Sequence, residues 1–133
     1  MEGDQLQKIF DQNNSERDLL LDELCDEVGS GHLSRDKLDF LVRKVVAVLP
    51  EEKDPTVRES FMNLLSEAYL QTGERAVIDE YVLDNINAMV PAELVHAFAM
   101  LSDSTVGDRE RILRDFTQSQ NVAVREAAAS YLS

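Results

Sequence analysis

Tryptophan is absent from this chain of 133 residues, and five Phe and three Tyr bring the aromatic content to only 6%. Hydrophobic residues still make up 44% and charged residues 29%, which is typical of a folded protein rather than a disordered one. A chain of this length can bury about two-thirds of its unfolded surface without help from disulfides or metal. We therefore expect a single domain over residues 1–133, with an aliphatic core of Leu, Val, Ile and Ala.

Cysteine is represented once, by Cys25, so an internal disulfide and a cysteine-based metal site are both excluded. Cys25 lies in an apolar run from Leu19 to Val28, which predicts a buried, unreactive thiol; a nucleophile would require a nearby His and an exposed pocket. No apolar run approaches the roughly 18 residues of a membrane-spanning helix, and Met1 to Asp4 do not begin a signal peptide. We expect a cytoplasmic protein that does not bind membranes.

Positive charge is scarce, since 13 Lys and Arg face 26 Asp and Glu and the formal net charge is -13. Such a surface repels nucleic-acid phosphates and anionic lipid headgroups, and it attracts basic proteins. The composition leaves two interpretations open: the acids only keep the protein soluble, or they serve in partner binding.

Residues suited to catalysis are also few. The two histidines, His32 and His96, are far apart in the sequence and belong to no metal-binding motif. The glycine-containing segment 29–31 lacks the following Lys and the preceding strand of a phosphate-binding loop. A carboxylate pair could be chosen anywhere among so many acids, so the acids alone indicate no catalyst. We expect a protein that is not an enzyme and that uses no cofactor or metal.

The apolar residues recur at helical spacing, and no segment alternates for long enough to predict a strand. Caps and helix breakers divide the chain into about eight helices with short connections, so the predicted fold class is all-α. The expected helices are Leu6–Phe10, Ser15–Val28, Ser34–Leu49, Asp54–Gly73, Glu74–Met89, Pro91–Leu101, Asp108–Phe116 and Asn121–Leu132. Seven apolar side chains are predicted to form the core between them: Phe61, Leu65, Ile78, Val82, Ile86, Phe98 and Leu101.

Residues 54–61 and 121–128 resemble each other, because both carry Val-Arg-Glu one turn into a helix. A third set of apolar residues lies between them at matching spacing, without the Val-Arg pair: Leu94, Phe98 and Leu101. Three first helices therefore align, with two second helices between them, which predicts a repeat of antiparallel helix pairs.

The Asp-Pro-x-Val-Arg-Glu start, followed by an amphipathic helix with small residues, resembles HEAT and HEAT-like repeats. The resemblance covers residues 54–133, and residues 15–49 resemble one degenerate pair. It implies a short right-handed α-solenoid of stacked pairs, with a compact helical bundle as the alternative. It also implies that Arg58 and Arg125 serve structure rather than partner binding, and Arg58 is spaced to pair with the capping Asp54.

The acids concentrate in patches that lie off the apolar stripes of their helices. We expect partner binding at Asp79, Glu80 and Asp84, with a second choice consisting of Asp22, Asp26 and Glu27. An acidic patch speeds encounter with a basic partner and orients it. Solvated helix faces without a binding role are the alternative.

Charge and resemblance together predict a protein that neutralises a basic protein partner. We favour an immunity protein, or antitoxin, that blocks a toxin such as a nuclease with a basic cleft, because HEAT-like modules occur among small acidic proteins of that kind. An adaptor or assembly factor that grips another chain in grooves between its helices is the alternative. A third possibility is an acidic mimic of nucleic acid aimed at a DNA-binding protein.

Overall fold

The computed structural model describes residues 7–11 and 13–132, and all regular secondary structure in that part of the chain is helical. The all-α prediction is therefore confirmed. The described residues form seven α-helices: α1 (Arg17–Gly29), α2 (Arg35–Val48), α3 (Pro55–Ala68), α4 (Arg75–Asn85), α5 (Pro91–Asp103), α6 (Arg109–Phe116) and α7 (Val122–Ser130). Short 3-10 turns follow α2 and α4, at Leu49–Glu51 and Ile86–Ala88. The described residues thus contain seven such helices rather than the predicted eight: of the predicted first helix, Gln7 and Lys8 are helical, Ile9 and Phe10 lie in a turn, and Leu6 falls outside the described residues.

The chain divides into two compact units, one ending at Ile78 and the other beginning at Asp79. The prediction of a single domain stays a prediction. All seven side chains predicted for the core are buried, which confirms the helical stripes from which they were chosen: Phe61, Leu65, Ile78, Val82, Ile86, Phe98 and Leu101.

In the first unit, α3 packs extensively against α1 and also contacts α2. The side of α3 that faces the core carries Phe61, Met62, Leu64 and Leu65, all without solvent exposure. Each such side chain contributes roughly 1.5–3 kcal/mol to folding relative to an exposed one. Burial of this apolar face is therefore the main force that fixes α1 and α2 on α3.

Helices α3 and α7 begin with the same capping arrangement. Asp54 Oδ1 accepts hydrogen bonds from the backbone N–H groups of Thr56 (2.9 Å) and Val57 (3.4 Å). Asn121 Oδ1 accepts one from the N–H of Val124 (3.1 Å). These bonds satisfy N–H groups that have no partner within the helix, so both helices start where the sequence predicts.

The arginine that follows each cap turns back to the incoming chain. Arg58 Nη1 donates hydrogen bonds to the carbonyl oxygens of Leu49 (2.6 Å) and Glu52 (2.9 Å). Arg125 Nη1 donates one to the carbonyl oxygen of Ser119 (3.1 Å). Each arginine thereby fixes the loop before its helix, a structural contact of the kind predicted for both residues. The predicted pair of Arg58 with Asp54 stays a prediction.

The loop between α3 and α4 is held to α2 by Asp39. The hydroxyl of Thr72 donates a 2.6 Å hydrogen bond to Asp39 Oδ1, and the N–H of Gly73 donates one of 2.9 Å to the same oxygen. Arg43, one turn further along α2, forms a 2.8 Å ion pair with Glu74. The bonds to Thr72, which is buried, fix the end of α3 against α2.

In the second unit, α5, α6 and α7 pack against one another. The rings of Phe98 on α5 and Phe116 on α6 meet in a tilted arrangement with their centroids 5.0 Å apart. Leu113 of α6 and Val124 and Ala128 of α7 are buried as well. A tilted aromatic pair contributes about 0.5–1.5 kcal/mol beyond the stabilisation that comes from burying its surface area. This pair therefore stabilises the packing of α6 on α5.

Candidate partner-binding surfaces

The second-choice acids lie on α1, in the first unit. Asp22 and Asp26 are exposed, while Glu27 is half-buried. Residues four apart occupy the same side of a helix, so the carboxylates of Asp22 and Asp26 are neighbours on the surface. This set therefore presents two exposed carboxylates rather than three.

A third carboxylate reaches this position from α3. Helix α1 packs on α3, and Asp22, Asp26 and Glu67 all act electrostatically on the thiol of Cys25. Helix α1 approaches Glu67 closely, since a Cβ on Gly29 would lie 3.0 Å from Glu67 Oε2. We refer to Asp22, Asp26 and Glu67 as the α1–α3 acidic surface.

Cys25 itself is buried, as predicted, and its Sγ lies 3.9 Å from the carbonyl oxygen of Ser60. Burial is the main reason that the pKa of Cys25 rises from 9.0 to about 11. The carboxylates of the α1–α3 acidic surface raise this pKa further, while a hydrogen bond with Asn63 opposes the shift. The thiol is therefore protonated at neutral pH, which makes it a weak nucleophile.

An exposed leucine extends the α1–α3 acidic surface along α1. Leu19 is 68% exposed and lies three and seven residues before Asp22 and Asp26, so all three share one side of the helix. A partner that covers this side can bury an apolar side chain and form ion pairs at the same time.

The first-choice acids lie on α4, in the second unit. Glu80 and Asp84 are exposed and occupy one side of the helix, whereas Asp79 is half-buried. Leu83, three residues after Glu80, lies on that side too and is 38% exposed. The exposed face of α4 thus combines carboxylates with a leucine, as does the exposed face of α1.

Leu83 also lines a cavity of about 380 Å³, which we call the α4–α6 groove. Its lining combines apolar and polar side chains from α4, the following 3-10 turn and α6: Leu83, Ile86, Asn87, Asp108, Arg111, Ile112, Asp115 and Phe116. Arg111 Nη2 lies 3.2 Å from Asp108 Oδ2, in an exposed ion pair between residues three apart in the sequence. The groove can hold an apolar group inside and charged groups at its edge.

Two parts of these surfaces were not predicted from the sequence. Glu67 has no acidic neighbour on its own helix that would indicate a patch, and it joins Asp22 only because α1 packs on α3. The α4–α6 groove likewise depends on the packing of α6. The available signal was spacing, since Leu19 and Leu83 each lie one turn before or after an acid on the same helix side.

The two histidines considered for catalysis and metal binding lie in different units. His32 is exposed in the loop before α2, and His96 is half-buried on α5. Among the residues that the structure describes, no group of three or more His, Cys, Asp or Glu is placed to hold a metal ion. None of the helices in that part of the chain has the length and apolar character needed to cross a membrane.

Comparison of the chain with protein-family models, with curated proteins and with solved structures finds no match. The resemblance to HEAT-like repeats therefore rests on the residues of the chain itself, and the assignment as an immunity protein stays a prediction.

Proposed function

We propose that this chain is a non-enzymatic binding protein that recognises a basic protein. The observation that carries the proposal is the packing of α1 on α3, which sets Glu67 of α3 against the end of α1, the helix that carries the exposed Asp22 and Asp26. Three carboxylates on a chain of net charge -13 create a negative potential that attracts cationic side chains. Exposed Leu19 beside them supplies apolar contact area once the partner has arrived.

We propose a HEAT-like solenoid as the architecture that presents this surface. The shared cap-and-arginine arrangement at the starts of α3 and α7 supports a repeat, as do the buried residues at matching positions, Val57 with Val124 and Phe61 with Ala128. Within the units, α1 packs on α3 and α5 packs on α7. In a HEAT-like solenoid the first helices of successive pairs stack, so helices two apart in the chain are expected to contact each other.

Neutralisation of a toxin is the form of this function that we favour. The basic cleft of a nuclease is complementary in charge to the α1–α3 acidic surface, and occupation of that cleft would block the substrate. The α4–α6 groove favours a second candidate, an adaptor that holds an apolar side chain of another protein without blocking an active site.

Retention of a partner on the immobilised chain tests the proposal. The surface variant carries Asp22→Lys and Asp26→Lys, and the control carries the same change in charge at two other exposed acids, Asp103→Lys and Glu126→Lys. We expect the wild type and the control to retain a basic protein from extracts of cells that produce this chain, and the surface variant to lose it. Equal retention by all three chains would contradict a role for this surface.

The activity of the retained protein then separates the two candidates. The purified partner is assayed for its own activity, nuclease activity included, with and without the chain. Loss of activity at equimolar chain supports neutralisation, whereas full activity in the complex supports the adaptor.

A further inference from the structure

We infer that the α4–α6 groove receives one large apolar side chain from a basic amphipathic segment of the partner. The inference rests on the proposed function only for the basic character of the partner. The geometry of the groove, its charge and its size each favour this kind of ligand.

Four apolar side chains contribute to the lining of the groove, and two of them are fixed before a partner arrives. Ile86 is buried, and the ring of Phe116 is held by Phe98 at a centroid distance of 5.0 Å. Ile112 and Phe116 are half-buried, so each retains exposed apolar surface that a partner could cover. A preformed apolar site binds with little cost in side-chain ordering.

The charge at the edge of the groove selects a cationic segment. Arg111 is paired with Asp108, so its positive charge is offset within the groove. Asp115 is exposed and leaves the lining with one net negative charge, and Asp84, next to Leu83, is exposed as well. A second copy of this chain, with its net charge of -13, would be repelled, whereas Lys or Arg beside the inserted side chain would be attracted.

The volume of the groove limits what can enter it. About 380 Å³ lies near the lower end of the roughly 300–1,000 Å³ that ligand sites occupy. This space admits a leucine-sized or phenylalanine-sized side chain but is too small for a whole helix. The inferred mode is therefore one anchor residue of an amphipathic helix, with its basic residues placed over Asp84 and Asp115.

Two synthetic helical peptides of equal length and charge test the inference, with arginines flanking a central leucine in one and a central serine in the other. Binding to the complete isotope-labelled chain is followed by NMR titration. We expect the leucine peptide to bind at least about tenfold more tightly and to shift resonances of Leu83, Ile112 and Phe116. Leu83→Ser and Asp115→Lys should each weaken its binding by about tenfold, whereas Val95→Ser, a change at an apolar residue of comparable exposure on α5, should not.

Equal affinity of the two peptides, or shifts confined to α1, would overturn the inference. Circular dichroism of Leu83→Ser and Asp115→Lys verifies that these surface variants remain folded. Failure of the proposed function gives a different result. If the natural partner is not basic, the proposed function is wrong, but the groove still binds the leucine peptide more tightly than the serine peptide.

Discussion

Arg17 of α1 and Glu52, in the loop before α3, form an ion pair that is almost completely removed from solvent. The other carboxylate oxygen of Glu52 accepts a 3.1 Å hydrogen bond from the N–H of Asp54, the cap of α3. Arg17 Nε is buried without a hydrogen-bond partner among the described residues. Glu52 thus joins the start of α1 to the start of α3, and Arg17 depends on it to offset its charge.

Removal of one member of this pair should destabilise the chain strongly. Glu52→Leu leaves the charge of Arg17 buried and uncompensated, which costs about 3–5 kcal/mol of the free energy of unfolding. The double variant Arg17→Met, Glu52→Leu should recover much of that loss, since no charge then stays buried. Urea denaturation measures the free energy of unfolding of the single and the double variant. A loss below about 1 kcal/mol for Glu52→Leu would contradict the buried pair, and Arg111→Met, which breaks an exposed pair, is the control.

Phe61 gives a direct test of the core of the first unit. It is fully buried and stacks on Phe10 with ring centroids 5.9 Å apart. Phe61→Ala should lower the free energy of unfolding by about 3–5 kcal/mol. Phe40→Ala on α2 is the matched control, because that ring is 48% exposed and its loss should change stability by less than about 0.5 kcal/mol. Similar losses for the two variants in urea denaturation would show that the core is assigned wrongly.

Asp39 should make the stability of the first unit depend on pH. Hydrogen bonds from Thr72 and from the Gly73 N–H hold the pKa of Asp39 below its ordinary 3.8. The ionised carboxylate therefore contributes stability above the unfolded-state pKa, and this contribution is lost as pH falls through the lower folded-state pKa. Asp39→Ala should destabilise the chain at pH 7, and the difference from wild type should shrink toward pH 3. Thermal unfolding that shows a difference independent of pH would argue against this role.

Cys25 reports on the α1–α3 acidic surface. Its pKa of about 11, against 9.0 for an ordinary thiol, lowers the thiolate fraction at pH 8 about a hundredfold. Iodoacetamide should therefore label the folded chain at least about a hundredfold more slowly than the urea-unfolded chain. Asp22→Asn with Asp26→Asn should lower the pKa of Cys25 and speed labelling of the folded chain. An unchanged labelling rate would show that these carboxylates do not converge on the thiol.

Sequence reasoning succeeded where the determining interactions are local. Asp54 and Asn121 mark helix starts because their side chains bond to N–H groups two or three residues away, and Phe61 and Phe98 fall on clear apolar stripes. Glu67 and the Arg17–Glu52 pair could not be predicted, because each depends on how α1 packs against α3 or the loop before it. Ile9 and Phe10 have helical spacing but lie in the turn that follows the helical residues Gln7 and Lys8, because apolar spacing does not determine the residue at which a helix ends.

The rate of association with the retained basic partner tests the central claim most directly. Stopped-flow kinetics compare the wild type, the surface variant with Lys at positions 22 and 26, a variant with Glu80→Lys and Asp84→Lys, and the charge-matched control. We predict that at least one of the two reversals slows association by about 10–1,000-fold at low ionic strength, while the control does not. Near 1 M salt, where screening shortens to about 3 Å, the difference should disappear. Association of both reversal variants at the wild-type rate in low salt would contradict acid-guided binding of a basic protein.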